Sequence, residues 1–175
     1  MYALLDAVEA IRIFMERGGW VLWVILIVTF VMWALIIERL WYFRTVFRKE
    51  RQKAIVAWND REDAKSWFAH KIRLAIISQI RLDLTQGLPL IKTMVALCPL
   101  VGLMGTVTGM ITVFDVMAVL GSGNARAMAA GVSKATIPTM AGMVAALSGL
   151  FGSTYIERKA EVEAEKLEDS LTLDH

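Results

Sequence analysis

Three stretches of this sequence run without a charged side chain for the length of a bilayer: Trp20–Ile37 (18 residues), Thr93–Phe114 (22) and Ala135–Ile156 (22). A hydrocarbon core of roughly 30 Å needs about 20 helical residues, so each can span it. The first is bounded by Arg17 and Glu38–Arg39, the second by Lys92 and Asp115, the third by Lys134 and Glu157–Arg158–Lys159. Backbone N–H and C=O groups in lipid need partners within their own segment, which a helix supplies. The predicted fold is therefore all-α: an integral membrane protein with three transmembrane helices extended into the cytoplasm. A buried hairpin in a soluble protein is the alternative for the second and third stretches, but the chain has no polar elements to cover one. Composition agrees, with 57% hydrophobic and 21% charged residues, against about half and a quarter in soluble domains.

Charge sets the topology. Residues 1–19 carry two basic side chains, Arg12 and Arg17, against three acidic ones; residues 38–92 carry twelve Lys or Arg. Residues 115–134 contain Arg126 and Lys134, and residues 157–175 contain three more cations. Basic residues near span ends stay in the cytoplasm. The expected order is a periplasmic amphipathic helix (1–19), transmembrane helix 1 (20–37) and a cytoplasmic helical loop (38–92). Transmembrane helix 2 (93–114), a periplasmic connection (115–134), transmembrane helix 3 (135–156) and a cytoplasmic C-terminal helix (157–175) follow.

The flanking segments read as helices too. Leu4, Ala7, Val8, Ile11, Phe14 and Met15 recur at helical spacing, so Tyr2–Arg17 can lie along the membrane interface before Gly18–Gly19 turns the chain. Charges at Asp6, Glu9, Arg12 and Glu16 interrupt it, so no cleavable signal peptide is expected. Glu38–Trp58 continues the first span out of the bilayer. Asn59–Asp60 breaks it, with Glu62 and Asp63 in the next first turn. Asp60–Gln86 then alternates charge with an apolar stripe at Trp67, Ile72, Ile76, Ile80 and Leu84. The acidic pattern Glu161, Glu163, Glu165 and Glu168 reads as a solvated continuation of the third span.

Several function classes drop out. His70 and His175 lie outside the spans without a metal-ligand partner, and Cys98 has no second thiol or base. Ser133, Ser148 and Ser153 lack the His or carboxylate that activates a nucleophile. Gly102, Gly105 and Gly109 follow no strand and lack the Lys of a phosphate loop. No enzyme activity, cofactor or metal is expected. A net charge of +2 gives no basic bias toward nucleic acid.

The second and third spans are apolar chiefly through Gly, Ala, Thr and Met. In the third, Ala135, Thr139, Gly142, Ala146, Gly149 and Ser153 form one stripe of small residues. Beside it runs the bulkier row Thr136, Met140, Met143, Leu147 and Leu150. In the second, Gly102, Thr106, Gly109 and Val113 form a comparable face, while Thr108, Thr112 and Asp115 form a polar row about 200° away. Two readings stay open. The stripes can be packing seams in which each Thr bonds its own i−4 carbonyl. Alternatively, the hydroxyls of Thr106 and Thr139 line a narrow pore and hold water or an ion. No acid or base lies mid-span; if protons cross here, a carboxylate must come from another subunit.

Cys98–Met110 contains Pro99, Gly102-Leu103, Gly105-Thr106-Val107 and Gly109, which is similar to the second-span signature of the MotA/TolQ/ExbB proton-channel family. Its pattern is Pro-x-x-Gly-Leu-x-Gly-Thr-Val-x-Gly, and Gly131–Ala146 resembles the matching third span. Small size places the chain closer to the ExbB branch than to MotA. The resemblance implies a homo-oligomeric, pentameric ring in the bacterial inner membrane around an ExbD-like single-span partner. It implies proton flow that drives a TonB-like protein in outer-membrane uptake of iron-siderophores and vitamin B12. Thr106 and Thr139 then match the family's pore threonines, with Gly102, Gly109, Gly142 and Ala146 as further pore-lining positions. The proton-carrying Asp comes from the partner. Copies are expected to pack through the small faces, with Gly105, Ala135, Gly149 and Ser153 as packing positions.

Three departures mark this chain. Lys134 stands where relatives commonly have Glu; it can repel protons at the mouth, pair with a partner carboxylate, or anchor the helix at the interface. Pro138 cannot donate to the Lys134 carbonyl and kinks the helix unless it lies in the first turn. Thr108 stands where many relatives have a bulky aromatic. With Asp115, Lys134 and Pro138 are candidate pore-mouth or partner contacts. Rival functions are a TolQ-like envelope-integrity subunit, a sodium-driven stator using the Thr108/Thr112/Asp115 oxygens, and a non-conducting scaffold for a single-span partner.

Overall fold

The computed structural model describes residues 2–60, 67–121 and 125–170. Within them the chain is five helices: α1 Tyr2–Gly18, α2 Trp20–Asn59, α3 Trp67–Thr85, α4 Leu88–Leu120 and α5 Ala125–Ser170. Three helices are long and apolar enough to cross a membrane. At 1.5 Å per residue, the 40 residues of α2 and the 46 of α5 reach about 60 and about 69 Å. A 30 Å core takes up half or less of that length, so charged sequence continues each helix well past the apolar stretch.

Glycine sets the corners. Gly19 has φ 68°, which ends α1 and lets Leu22 N–H bond the Gly19 carbonyl at 3.2 Å as α2 begins. Gly87, at φ 83°, turns α3 into α4. These left-handed angles cost an L side chain about 1–2 kcal/mol. The expected break at Asn59–Asp60 is present, with α2 ending at Asn59. Glu62 and Asp63, expected in the next first turn, lie outside the described residues.

Two compact units form, one from Met1–Trp33 and Lys92–Leu150, the other from Ala34–Ile91 and Phe151–His175. The first has its core at Val21, Leu22, Ile25, Cys98 and Ala145, with Met15, Val101, Ile137 and Ala141 packed around it. The second is built on Trp58, Ala69, Ile77 and Leu167, flanked by Ile55, Ile76 and Ile80. There Arg51 pairs with Glu163 at 3.5 Å, and Arg73 donates to the Glu168 carbonyl at 3.0 Å.

Two expectations shift in the second unit. The α3 stripe buries Ala69, Ile77 and Leu84, while Trp67 is exposed and packs edge-on to Phe68 at 5.3 Å. The C-terminal part of α5 is more than a solvated face, because Ile156, Ala160, Ala164 and Leu167 are buried. Along the whole of α5 the buried positions are 135, 138, 142, 145, 149, 153, 156, 160, 164 and 167. Their mean spacing is close to the 3.6-residue helical period, so one line of the helix is covered from Ala135 to Leu167.

Candidate functional site

The site candidates, Ser153 apart, lie in the first unit, where α4 and α5 meet almost backbone to backbone. Gly142 comes so near α4 that a Cβ there would stand 2.6 Å from the Cys98 carbonyl oxygen and 3.2 Å from Gly102 Cα. A Cβ on Gly102 would meet the Pro138 carbonyl at 2.9 Å and Thr139 Cα at 3.1 Å. Farther along, Gly109 lies against Ala135, and Gly131 against Val113. Small residues on both helices permit this approach, as at interfaces between membrane helices generally. Gly102 and Gly142, named above as pore positions, are thus buried against one another inside one chain. The α4–α5 seam of a single subunit already uses the small faces through which copies were expected to pack.

The remaining packing positions follow the same logic. Gly105 sits under Pro138 and beside Val21. Ala135 and Ser153 are buried, and Gly149 receives the tip of Met32. Pro138 is almost fully buried and lies inside α5 rather than in its first turn. It therefore leaves the Lys134 carbonyl without the usual i+4 donor. Lys134 and Asp115 are both exposed.

The covered line of α5 differs from the small-residue stripe at two places: Pro138 and Ala145 are buried where the stripe had Thr139 and Ala146. Thr139 and Ala146 flank the seam and are half-buried. Thr106 is half-buried on α4.

The threonine hydroxyls divide into two kinds. Thr106, Thr108 and Thr112 donate to the carbonyls of Leu103, Gly105 and Gly109 at 2.7, 3.1 and 2.6 Å, and Thr136 to Ser133 at 2.9 Å. These bonds reach back three residues rather than the four expected. Thr139 instead crosses the seam, its Oγ1 donating to the Gly102 carbonyl at 3.1 Å. A carbonyl has two lone pairs, so Gly102 accepts this bond besides its helical one. Each hydroxyl oxygen still has acceptor capacity toward a water or cation.

Two contributors escaped sequence reasoning. The Cys98 carbonyl faces Gly142, and only the glycine opposite made that visible. Trp33 Nε1 donates to Ser148 Oγ at 3.3 Å, tying α2 to α5. That bond lies at one end of an apolar groove of about 740 Å³ lined by Leu26, Phe30, Met140 and Val144 among others. Among the described residues no cluster of His, Cys, Asp or Glu could hold a metal ion.

Comparison with known proteins places this geometry. The chain is 34% identical over 90 residues to the Biopolymer transport protein ExbB of Helicobacter pylori, covering 51% of this chain and 62% of that one. It is 43% identical over 68 residues to the Putative biopolymer transport protein ExbB-like 1 of Synechocystis sp., covering 37% of this chain and 27% of that one. The match thus spans less than two thirds of either relative's length. No solved structure matches the chain. The model of the MotA/TolQ/ExbB proton channel family matches residues 42–169, well over half of the sequence, and includes the α4–α5 seam. The chain belongs to the MotA/TolQ/ExbB proton channel family.

Proposed function

We propose that this chain is an ExbB-like subunit of a proton-conducting complex in the bacterial inner membrane, with its N-terminus periplasmic and its C-terminus cytoplasmic. The observation that carries the reading is two hydroxyls within the uncharged stretches: that of Thr139, bonded across the seam to Gly102, and that of Thr106, half-buried on α4. Neither the Thr93–Phe114 nor the Ala135–Ile156 stretch contains an ionisable group except the thiol of Cys98 and the phenol of Tyr155. Hydroxyls at such a place can relay or solvate a proton but cannot hold it near neutral pH. A carboxylate from an ExbD-like single-span partner supplies the missing carrier. Each elementary charge that crosses delivers about 2.3 kcal/mol per 100 mV, which the complex passes to a TonB-like protein. The names of both relatives favour this role over a Tol-type one.

Copies of the chain form a ring, a pentamer in this reading, through surfaces that the single chain leaves bare. On α4, Leu97, Leu100, Met104, Val107, Ile111 and Phe114 are exposed at alternating spacings of three and four. On α5, Met140, Met143, Leu147 and Leu150 are exposed in the same rhythm. Two such rows suit knobs-into-holes packing between neighbouring copies. Thr106, Thr139 and Ala146 are the pore-side candidates, with Lys134 at the mouth, whereas Gly109 faces Ala135 across the seam. Replacing Thr139 and Thr106 singly with Val tests the proposal in cells that depend on this chain and its partner for uptake. Each replacement should lower proton-driven uptake at least tenfold while assembly stays normal. Unchanged uptake in both variants overturns the pore role.

A further inference from the structure

The second unit holds a recess away from the α4–α5 seam. About 470 Å³ in volume, it opens between α2 and α5, with Arg44 and Lys159 on its walls and no carboxylate in its lining. Neither cation has an ion-pair partner among the described residues; Lys159 Nζ stands 5.9 Å from the centre of the Tyr155 ring. Trp41, 69% exposed, lines it together with the exposed Ile37 and the half-buried Leu40. The Thr45 hydroxyl donates to the Trp41 carbonyl at 2.8 Å.

The order of these residues along α2 is informative. Ile37 is the last residue of the uncharged stretch Trp20–Ile37, and Arg44 follows two turns later. Apolar Ile37 and Leu40, then the aromatic Trp41 and then two cations match the passage from acyl chain to headgroup at a bilayer surface. Trp and Tyr concentrate at that depth, and basic pockets between membrane helices attract anionic headgroups. A second copy docked on the recess would bury two cations without a counter-charge, which is costly. A lipid brings its own negative charge.

We infer that this recess binds an anionic phospholipid, its phosphate against Arg44 and Lys159 and an acyl chain along Ile37 and Leu40. The inference needs the chain to lie in a bilayer but does not depend on which ion it conducts. Binding can therefore fail while conduction holds, or the reverse.

Native mass spectrometry of the full chain, released from micelles containing equal phosphatidylglycerol and phosphatidylcholine, tests it. Phosphatidylglycerol should be retained in preference. Arg44→Gln with Lys159→Gln should weaken that preference about 30-fold, or about fivefold for either alone. Lys49→Gln with Lys53→Gln removes the same charge elsewhere on α2 and should change it less than twofold. Brominated phosphatidylglycerol should quench the wild-type fluorescence more than that of Trp41→Phe, a readout that leaves the charges intact. Equal retention of the two lipids, equal loss in both double variants, or displacement by inorganic phosphate would each overturn the inference.

Discussion

Gly142→Ala tests the α4–α5 seam most directly, because the added methyl group meets only backbone. Its Cβ would stand 2.6 Å from the Cys98 carbonyl oxygen and 3.2 Å from Gly102 Cα. A carbon–oxygen contact settles near 3.3 Å or beyond, so the helices must part by about 0.7 Å. Thr139 Oγ1, now 3.1 Å from the Gly102 carbonyl, would then move past hydrogen-bond range. Overpacking of this kind costs about 1–3 kcal/mol, and the interhelical bond adds about 0.6 kcal/mol or more. The sum is a loss of about 2–4 kcal/mol. Gly149→Ala is the matched comparison: its added methyl would meet the Met32 thioether and, at 2.9 Å, a methyl of Val95. Flexible Met can swing aside, so the cost there should stay near 1 kcal/mol. Reversible unfolding in mixed dodecyl sulfate and maltoside micelles, followed by circular dichroism, measures both. Gly142→Ala matching the wild type, or Gly149→Ala losing as much, would refute the backbone-contact argument.

Gly87→Ala should cost about 1–2 kcal/mol in thermal unfolding. Its φ of 83° is the left-handed region, and a Cβ would also press the Arg39 guanidinium at 2.9 Å; Gly87→Asn, which tolerates that backbone, should cost less. Tyr42 carries a pH prediction. Burial first, then the Glu50 carboxylate and the 3.2 Å bond donated to it, raise the Tyr42 hydroxyl above its ordinary 10.0. The folded chain therefore holds this proton more tightly than the unfolded one. The stabilisation is present below pH 10 and is lost as pH rises through the folded value. Alkaline absorbance titration should show a phenol step above pH 10 that is lost in Tyr42→Phe, and a profile unchanged by the substitution would contradict the assignment.

Helix content and membrane character were legible because both depend on local runs of sequence. An uncharged stretch of the right length and glycine at a chain reversal need no knowledge of distant residues. The apolar stripe of α3 was harder to place. Adjacent helical residues differ by 100°, so a stripe fixes the buried face only to within about one position, and isoleucines recur too densely there to choose. Hence Ala69 and Ile77 are buried, and Trp67, the bulkiest member, is exposed.

The same ambiguity governs the site. The sequence by itself determined that the chain has three membrane-length apolar stretches, that two are rich in small residues, and that neither carries a mid-span carboxylate. What the small faces meet was decided only by the tertiary structure. A glycine row suits a neighbouring helix of the same chain, another copy or a narrow pore equally well, since each requires only the absence of a side chain. Here α4 fills the space against α5, which seals Gly102 and Gly142. It also rotates the covered line onto Pro138 and Ala145, leaving Thr139 on the flank with its hydroxyl bound across the seam. The bulky rows stay bare because they fall outside the seam faces of those two helices, and no helix among the described residues covers them.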